Sequence, residues 1–398
     1  MSWEVKKLSD CCVSIADGDH QAPPKADFGI PFVTISDINV YNQFDFTDTM
    51  FVPREYYDRL DNKRKAQKGD VLYSVVGSFG IPVYMKETVP FVFQRHIAIL
   101  RANDTILPQF LYYTMLSRDF YMMADAAALG AAQRTVSLTA LRNIRISVPP
   151  MDVQKKIVDT LSAYDNLIEN NQKQIKLLEE AAQRLYKEWF VDLRFPGHEN
   201  TKITDGIPEG WHKTTLAEIA AIIKRGISPK YADDGKYTVI NQKCIRGSVM
   251  DITESRKQEK QYELTLNIQD CDTVICSTGT GTLGRVGQIY GDYPNTTFDS
   301  HVTLVRAKEN PNFMYHVIKN QQEFLMGMGR GSTNQQELYR NVVENIEVLL
   351  PDRRLLLQTE ELLNTIHNKI ETVYSQTAIL TEARDCMLPK LMSGELEV

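Results

Sequence analysis

Side chains between residues 152 and 195 follow a heptad pattern, in which seam positions recur alternately four and three residues apart. The seam consists of Ile157, Leu161, Tyr164, Ile168, Asn171, Ile175, Leu178, Ala182, Leu185 and Trp189. This pattern predicts one long helix that packs against a partner helix along a narrow stripe. At about 1.5 Å per residue, the helix is roughly 60 Å long. Asn171 is polar, and a buried seam asparagine typically sets the register of a helix pair at some expense in stability.

The chain on either side of this helix is an internal repeat. Its matched segments are Trp3 to Leu8 and Trp211 to Leu216; Val71-Leu-Tyr-Ser74 and Val274-Ile-Cys-Ser277; Gly77 with Gly80 and Gly281 with Gly284; Gln94-Arg-His96 and Asp299-Ser-His301; Phe110-Leu-Tyr112 and Phe313-Met-Tyr315; and Asn143-Ile144 and Asn345-Ile346. The matches keep their order, and the offset drifts only from 208 to 202 residues. A repeat of this length indicates a duplicated domain with its connector rather than a solenoid unit.

Each half contains short β-rich runs separated by turn residues, then a helical patch and a closing strand that ends at Pro149 or Pro351. A second heptad follows the second proline, at Leu356, Thr359, Leu363, Ile366, Ile370, Val373, Thr377, Leu380, Arg384, Met387 and Leu391. The first helix leads into the second domain and the second helix must return, so we expect an intramolecular antiparallel coiled coil with a pseudo-two-fold relation between the halves. The chain termini should then lie close together.

These patterns predict an α+β fold with two similar globular domains and two long helices. The expected boundaries are residues 1–150 for the first domain, 151–196 for the first helix, 197–350 for the second domain, and 351–398 for the second helix and C-terminal tail. No run approaches the roughly 20 apolar residues of a membrane span, and the first residues lack the apolar stretch of a signal peptide. A cytoplasmic protein is therefore expected.

Charge and cysteine content narrow the expected chemistry. The net charge is −6, and segment by segment it is 0, −1, −2 and −3 along the four expected regions. Because no region is strongly basic, tight phosphate binding by this chain alone is not expected. The six cysteines form no CxxC pair and no Cys/His cluster with zinc spacing, so we interpret them as reduced structural thiols and expect no metal.

Three further segments carry a resemblance that extends over essentially the whole chain. They are Arg184-Leu-Tyr-Lys-Glu-Trp-Phe-Val-Asp-Leu-Arg-Phe-Pro196, Ile207-Pro-Glu-Gly-Trp211 and Leu388-Pro-Lys-Leu-Met-Ser-Gly-Glu395. The chain resembles the specificity (S) subunit of type I restriction–modification systems. That resemblance implies two target recognition domains, each reading one half of an asymmetric, split double-stranded DNA site. It also implies helices that set the half-site spacing and dock modification (methyltransferase) subunits, of which two are expected. The expected partners use S-adenosylmethionine in modification and ATP with Mg²⁺ in a restriction subunit, whereas this chain is expected to bind no cofactor.

Gly279-Thr-Gly-Thr-Leu-Gly284 fits the G-x-G-x-x-G pattern of dinucleotide-binding loops. The residues after it resemble a strand rather than the helix whose N-terminus would hold a pyrophosphate. We therefore favour a β-hairpin turn over a cofactor site. The equivalent His96 and His301 are interpreted as structural histidines in preference to contacts with DNA.

Polar loop residues are the candidate contacts with DNA, because Arg, Asn and Gln read base edges while Lys, Ser and Thr suit phosphates. The candidates are Lys63, Arg64, Lys65, Lys68, Ser78, Arg95, Gln133, Arg134, Lys224, Arg225, Gln242, Lys243, Arg246, Thr280, Thr282, Arg285, Arg330 and Asn334. We expect about a third of the basic candidates to touch DNA.

The sequence shows no Walker A loop, methyltransferase motif or acidic pair for a nuclease metal, which indicates a non-enzymatic DNA reader. Two alternatives remain open at this point. A coiled-coil scaffold whose two domains bind protein is favoured by the weak basicity. A cofactor-binding enzyme would rest on the glycine-rich loop alone.

Overall fold

The computed structural model describes residues 3–47, 49–130, 134–245, 250, 252–279, 281–328 and 336–397, with only the backbone of residue 253. The chain divides into two compact units. The first is Met1–Ile168 with Ala378–Val398, and the second is Glu169–Thr377. This division differs from the four segments expected from sequence, since each long helix contributes to both units.

The first half of the chain contains nine strands and the first five helices of the described residues. The strands are β1 (Glu4–Lys7), β2 (Cys12–Asp17), β3 (Ile30–Val33), β4 (Met50–Val52), β5 (Val71–Ser74), β6 (Pro82–Tyr84), β7 (Val92–Phe93), β8 (Ile97–Ala102) and β9 (Arg145–Val148). The helices are α1 (Arg54–Arg59), α2 (Pro108–Leu116), α3 (Arg118–Ala126), α4 (Leu138–Asn143) and α5 (Met151–Tyr186). The strands form sheets in the orders β1-β9, β2-β8-β5-β6 and β4-β3-β7.

The second half repeats this topology. Its strands are β10 (Ile203–Thr204), β11 (Ile207–Pro208), β12 (His212–Thr215), β13 (Ala220–Arg225), β14 (Tyr237–Ile240), β15 (Arg256–Gln258), β16 (Thr273–Cys276), β17 (Val286–Gln288), β18 (Thr296–Phe298), β19 (Val302–Ala307) and β20 (Glu347–Leu350). Its helices are α6 (Leu216–Ile219), α7 (Pro311–Asn320), α8 (Gln322–Gly327), α9 (Arg340–Glu344) and α10 (Arg353–Ser393). The sheets β12-β20, β13-β19-β16-β17 and β15-β14-β18 match those of the first half, and β10-β11 is an added hairpin.

Local sequence explains where several of these helices begin. Pro108 and Pro311 occupy the first turns of α2 and α7, where a missing N–H leaves no helical hydrogen bond unmade. The Ser117 and Ser137 hydroxyls accept hydrogen bonds from backbone amides of α3 and α4. Such serine caps typically contribute about 1 kcal/mol to helix stability.

Matched hydrogen bonds correct the sequence alignment of the repeat by one residue in a central strand. Val75 N–H donates to His96 O, and Ser277 N–H donates to His301 O, both at 2.8 Å. Val75 is therefore equivalent to Ser277, and Ser74 corresponds to Cys276 rather than to Ser277. Gly80 and Gly284 remain equivalent because each donates to the last strand residue, Ser74 or Cys276. The loop from Cys276 to Gly284 is two residues longer than the loop from Ser74 to Gly80. Matching identical residues in the sequence placed one of these extra residues in the strand instead of in the loop.

A buried ion pair recurs at the same place in each unit. Arg101 donates from Nε and Nη2 to the two carboxylate oxygens of Asp70, both at 2.8 Å. Arg306 holds Asp272 in the same way, at 2.7 Å. Asp70 and Asp272 are each 1% exposed at the side chain, and a buried carboxylate needs such a partner. Burial raises the pKa of Asp272 although the guanidinium of Arg306 opposes this.

The two long helices run antiparallel in each unit. In the first unit Ile157 and Leu161 of α5 share a core with Leu388 and Leu391 of α10, and Arg384 Nη1 lies 2.9 Å from Asp165 Oδ1. In the second unit the later residues of α5, including Ala182 and Tyr186, pack with the early α10 residues Leu355, Leu356 and Leu363. The expected heptad partner is thus confirmed. Asn171 is buried in the seam, as the pattern predicted.

Two further expectations concern the end of the first long helix and the position of the chain termini. The first helix was expected to continue to about residue 195, but α5 ends at Tyr186 and a π-helical turn covers Lys187–Val191. The wider turn brings Phe190 into the core of the second unit, which heptad spacing cannot indicate. The termini were expected to be neighbours, and Gly394 does lie against the indole ring of Trp3 within the first unit.

Candidate nucleic-acid interface

Three loops of the first unit meet at one end of the sheet β2-β8-β5-β6. Val75, which follows β5, donates its N–H to His96 O and accepts from Val136 N–H at 2.9 Å. Gly77 N–H donates to Arg134 O at 3.0 Å. The backbones of the loops that carry Ser78, Arg95 and Arg134 are thereby hydrogen-bonded to one another. These loops are called the loop cluster. The Ser78 and Arg95 side chains are exposed at this end.

Asp19 joins a fourth segment to this end of the sheet. Its backbone carbonyl accepts from Arg95 N–H at 3.2 Å, and its carboxylate accepts from Arg64 Nη1 at 3.1 Å and from the Tyr56 hydroxyl. Burial opposes the charge of Asp19, but hydrogen bonds from Tyr56 and from two backbone amides outweigh it and hold the pKa of Asp19 below its ordinary value. Burial and the hydrogen bond to Asp19 raise the pKa of Tyr56 to about 12. Asp19 is an ionised hub that positions Arg64.

The remaining basic candidates of the first unit have different surroundings. Lys63 is exposed next to Arg64. Lys65 donates from Nζ to Asp58 O at 3.0 Å and lies over the Tyr57 ring. Arg134 pairs with Asp125 at 3.0 Å. Lys68 precedes β5 whereas Ser78 follows it, so the structure places Lys68 at the opposite end of that strand from the loop cluster.

The second unit repeats the cluster with different side chains. Thr278 Oγ1 lies 2.6 Å from His301 Nδ1, and the segment before α9 is tied on through Leu338 N–H, which donates to Ser277 O at 2.8 Å. Thr282 Oγ1 donates to Thr278 O at 3.0 Å and contacts Gln242 Oε1 at 3.3 Å. Thr282 and Gln242 therefore belong to this cluster. His301 is exposed and orders the turn through Thr278.

Acidic partners engage two of the basic candidates here. Arg225 pairs with Glu337 and donates to Leu338 O at 2.8 Å, and Lys224 pairs with Glu263 at 2.7 Å. Arg285 is half-buried beside the turn, and its guanidinium has no hydrogen bond or ion pair among the described residues. Lys243 is exposed at the same 3₁₀ turn as Gln242. The candidates Gln133, Arg246, Thr280, Arg330 and Asn334 lie outside the described residues.

The described residues of the glycine-rich segment, 279 and 281–284, form the predicted hairpin turn. Leu283 N–H donates to Gly279 O at 3.0 Å and Gly284 N–H to Cys276 O at 2.8 Å. The chain then enters β17, which pairs antiparallel with β16. A helix N-terminus that could cradle a pyrophosphate does not follow this turn.

Sequence reasoning missed Asp19, Tyr56 and Thr278. Asp19 could have been found from the sequence, because it follows Gly18 and the second half has an equivalent glycine, Gly226. At both positions the backbone of another segment packs directly against the glycine. A Cβ at Gly18 would lie 2.2 Å from Phe93 O, and one at Gly226 would lie 2.2 Å from Phe298 O. The loop that follows each glycine is held against the sheet end, so its residues belong to the cluster.

Comparison with known proteins identifies the family. The model of the type I restriction modification DNA specificity domain matches residues 1–180 and 208–371. The MjaIX specificity subunit of a type I restriction enzyme from Methanocaldococcus jannaschii is 22% identical, with 100% of this chain and 94% of that protein covered. The HindI specificity subunit from Haemophilus influenzae is 21% identical, with 84% and 88% covered.

A solved structure has the same fold. The crystal structure of a type I restriction–modification system S subunit from M. genitalium matches with a TM-score of 0.53 and 18% identity, covering 98% of this chain and 96% of that one. Among the described residues, no helix has both the length and the apolar character needed to cross a membrane. With the specificity-domain model matched in both halves, this chain belongs to the family of type I restriction–modification specificity subunits.

Proposed function

We propose that this chain is a non-catalytic reader that gives a methyltransferase and nuclease complex its DNA sequence specificity. The observation that carries this proposal is the duplicated loop cluster. Matched backbone hydrogen bonds tie the loop after β5, which carries Ser78, and the loop after β16, which carries Thr282 and Arg285, to neighbouring loops at equivalent sheet ends. A constant frame with different polar side chains suits two domains that read two different half-sites.

In this proposal, residues 1–150 and 197–350 are the two recognition domains, and residues 151–196 and 351–398 form the spacer. Each domain reads one half of an asymmetric, bipartite double-stranded DNA target. The helices set the half-site spacing, with Asn171 fixing their register, and dock two modification subunits. The partners supply S-adenosylmethionine, ATP and Mg²⁺ chemistry, and this chain binds none of these. The complex works in the cytoplasm, where the DNA is.

Ion pairing within the chain favours DNA binding by this chain together with its modification subunits over DNA binding by the chain alone. Arg64, Arg134, Lys224 and Arg225 each face a carboxylate, and the chain carries a net charge of −6. Affinity for DNA phosphates rises with the number of uncompensated basic side chains. The isolated chain should therefore bind DNA weakly, and the modification subunits should supply much of the phosphate contact.

Single-molecule methylation sequencing tests the proposal. A host carrying this gene and its modification partner should methylate a split, asymmetric motif that disappears when this gene alone is deleted. A deletion that leaves the methylation pattern unchanged would reject the proposal and favour the alternative of a scaffold that binds protein. A point substitution at Arg285 that changes only one half of the motif would further assign the second domain to that half.

A further inference from the structure

Three potential metal ligands of different chemistry converge within the second unit. Asp270 and Cys271 lie in the turn that enters β16, and His367 lies on α10. His367 Nε2 is 3.0 Å from Asp270 Oδ1 and 3.4 Å from Cys271 Sγ, and Cys271 Sγ is 3.3 Å from Asp270 Oδ2. One ligand atom from each residue lies within 4.8 Å of the other two. The cluster has no part in the loop cluster described above.

These separations approach those between the ligands of a tetrahedral zinc ion. With metal–nitrogen and metal–oxygen bonds of about 2.0–2.2 Å and a metal–sulfur bond of about 2.3 Å, tetrahedral ligands lie roughly 3.3–3.6 Å apart. The nitrogen–sulfur separation already fits, and the nitrogen–oxygen separation is within about half an ångström of this range. Asp270 meets His367 through Oδ1 and Cys271 through Oδ2, so its carboxylate would turn to present one oxygen to an ion. Thiolate, imidazole and carboxylate are also the ligand types that Zn²⁺ prefers.

The internal repeat provides a comparison without such a cluster. Gly69 N–H donates to Met85 O in the first unit, and Cys271 N–H donates to Ile289 O in the second. Cys271 is thus equivalent to Gly69, and Asp270 to Lys68. Gly69 has a φ of +90° and Cys271 a φ of +63°. Left-handed backbone is unfavourable for a residue with a Cβ, so the second unit keeps a thiol where the fold favours glycine.

The spacer-helix position also differs between the halves. His367 is equivalent to Asp165, at the offset of 202 residues set by the paired strands β9 and β20. Asp165 Oδ2 accepts from the Tyr113 hydroxyl at 2.6 Å, a direct link between α2 and α5. The residue equivalent to Tyr113 is His316, and among the described residues its Nδ1 has no hydrogen-bond partner. At this position the second unit therefore has a histidine with metal-ligand chemistry where the first unit has a carboxylate bonded to a tyrosine hydroxyl.

His367 is held in a position suited to coordination. It is 2% exposed, and its ring stacks on Tyr290 with centroids 4.5 Å apart and an interplanar angle of 17°. Its Nδ1 has no hydrogen-bond partner among the described residues, so no neighbour there prevents the tautomer that presents the Nε2 lone pair to an ion. Asp270 is 37% exposed at the side chain, which leaves a route for an ion and for a water ligand. Gly291 N–H holds the Asp270 carboxylate at 2.8 Å.

We propose that Asp270, Cys271 and His367 bind a divalent transition metal ion of the Zn²⁺ class, with a water molecule as the fourth ligand. On binding, the Cys271 thiol releases its proton to solvent and forms a sulfur–metal bond, while Asp270 and His367 donate lone pairs. The ion fastens the turn before β16 to α10. It acts as a structural staple in the second recognition domain, because metal binding to a folded site stabilises that fold.

Metal content and cobalt spectroscopy test this proposal on the full-length protein. Protein stripped with a chelator and reloaded with Zn²⁺ should retain one ion per chain. Loading with Co²⁺ should produce the intense visible bands of tetrahedral cobalt and a thiolate-to-cobalt charge-transfer band. The thermal midpoint should rise on addition of Zn²⁺. Absence of retained zinc, or an octahedral cobalt spectrum, would overturn the proposal.

Matched variants separate this cluster from other thiols. Cys271→Gly introduces the glycine that the first unit has at the equivalent position, Gly69, so the variant should fold. It should lose the bound ion, the charge-transfer band and the zinc-dependent stabilisation. Asp270→Asn should weaken retention. Cys386→Ser removes an exposed cysteine elsewhere and should bind like the parent chain. Unchanged zinc binding in Cys271→Gly would exclude the assigned site. These measurements need no DNA, so their outcome is independent of the proposed reading function.

Discussion

At the scale of single residues, partners decide which polar side chains are available to a ligand. Arg225 is held by Glu337 and Leu338 O, whereas the guanidinium of Arg285 has no such partner in the described part of the chain. Both residues belong to the same sheet end and carry the same charge. We therefore expect Arg225 to order the loops and Arg285 to be available for contact with DNA.

Arg285→Ala should lower the affinity of the assembled complex for its methylated motif about tenfold or more, as expected for loss of a base or phosphate contact worth about 1–3 kcal/mol. Its thermal midpoint should stay near that of the parent chain. Arg225→Ala is the matched control and should lower stability by about 1–3 kcal/mol, because Glu337 and Leu338 O lose their donor. Fluorescence anisotropy titrations over a range of salt concentrations measure the first effect, and urea unfolding the second. An unchanged affinity and salt dependence would remove Arg285 from the interface.

His316 predicts acid sensitivity of the second unit. Burial lowers the pKa of His316 from its ordinary 6.5 to about 3, with nearby Lys319 adding to the effect. The side chain also faces Tyr186 of α5, and it borders a small cavity with Glu179 and His367. The unfolded chain therefore binds a proton more readily than the folded chain does. The stability contributed by neutral His316 is present above pH 6.5 and is lost as the pH falls from 6.5 towards 3.

Urea unfolding between pH 7 and pH 4, with a chelator present, measures this effect. His316→Gln should show a smaller loss of stability over that range than the parent chain. The exposed His20, which pairs with Asp17 at 2.9 Å, provides the control substitution His20→Gln. Parallel pH profiles for the parent and His316→Gln would contradict the prediction.

At the scale of elements, the turn between β16 and β17 depends on one glycine for close packing. Gly284 has a φ of +80°, and a Cβ there would lie 2.5 Å from the Met326 backbone nitrogen of α8. Gly80 has the same role in the first unit, where a Cβ would lie 2.5 Å from the Tyr121 ring. The loop between β16 and β17 therefore keeps its conformation only if α8 can pack directly against the backbone of Gly284.

Gly284→Ala should destabilise the second unit by about 3 kcal/mol or more, since the left-handed backbone and the clash with α8 add together. Gly281→Ala is the control, because Gly281 has a φ of +78° but no atom within 4 Å of an added Cβ. It should cost only about 1 kcal/mol from the backbone conformation. Urea unfolding compares the two, and equal losses would show that contact with α8 is unimportant.

At the scale of the whole molecule, the two helices connect similar recognition units, so their length should control the spacing of the target. Inserting one heptad into both α5 and α10 keeps the seam in phase. Methylation sequencing should then report the same two half-sites with a longer unspecified middle. Insertion into α5 alone breaks the pairing register and should abolish methylation. The proposal that the helices set the half-site spacing fails if the double insertion leaves that spacing unchanged.

The adjacent termini permit a circular permutation. Trp3 contacts Gly394, so a short linker can join the old ends. A chain reopened near residues 197–204, between the long helix and β12, should fold with a thermal midpoint close to that of the parent. A chain reopened within β8 provides the control and should not fold, because β8 pairs with both β2 and β5. Failure of the first permutant, measured by circular dichroism, would contradict the arrangement.

Periodicity and self-similarity determined much of this protein from sequence alone. The heptads around Ile157 and Leu363 specify two helices with one apolar stripe, since side-chain direction in a helix follows from residue spacing. The matched segments established the duplicated α+β domain, and the strand after Gly284 favoured a hairpin over a cofactor loop. Each of these inferences rests on local geometry.

Tertiary structure decided the properties that depend on which distant residues meet. It ended α5 at Tyr186, moved the repeat alignment by one residue at Ser74, and placed Lys68 away from the loop cluster. It paired Arg225 with Glu337 and gave the Arg285 guanidinium no such partner among the described residues, although both arginines lie at the same sheet end. It also brought Cys271 to His367 across 96 positions of chain, where no spacing rule applies. The spacing of residues in the sequence determines which way side chains point along one helix or strand. Ion pairing, the convergence of metal ligands and burial depend on contacts between elements that are distant in the sequence.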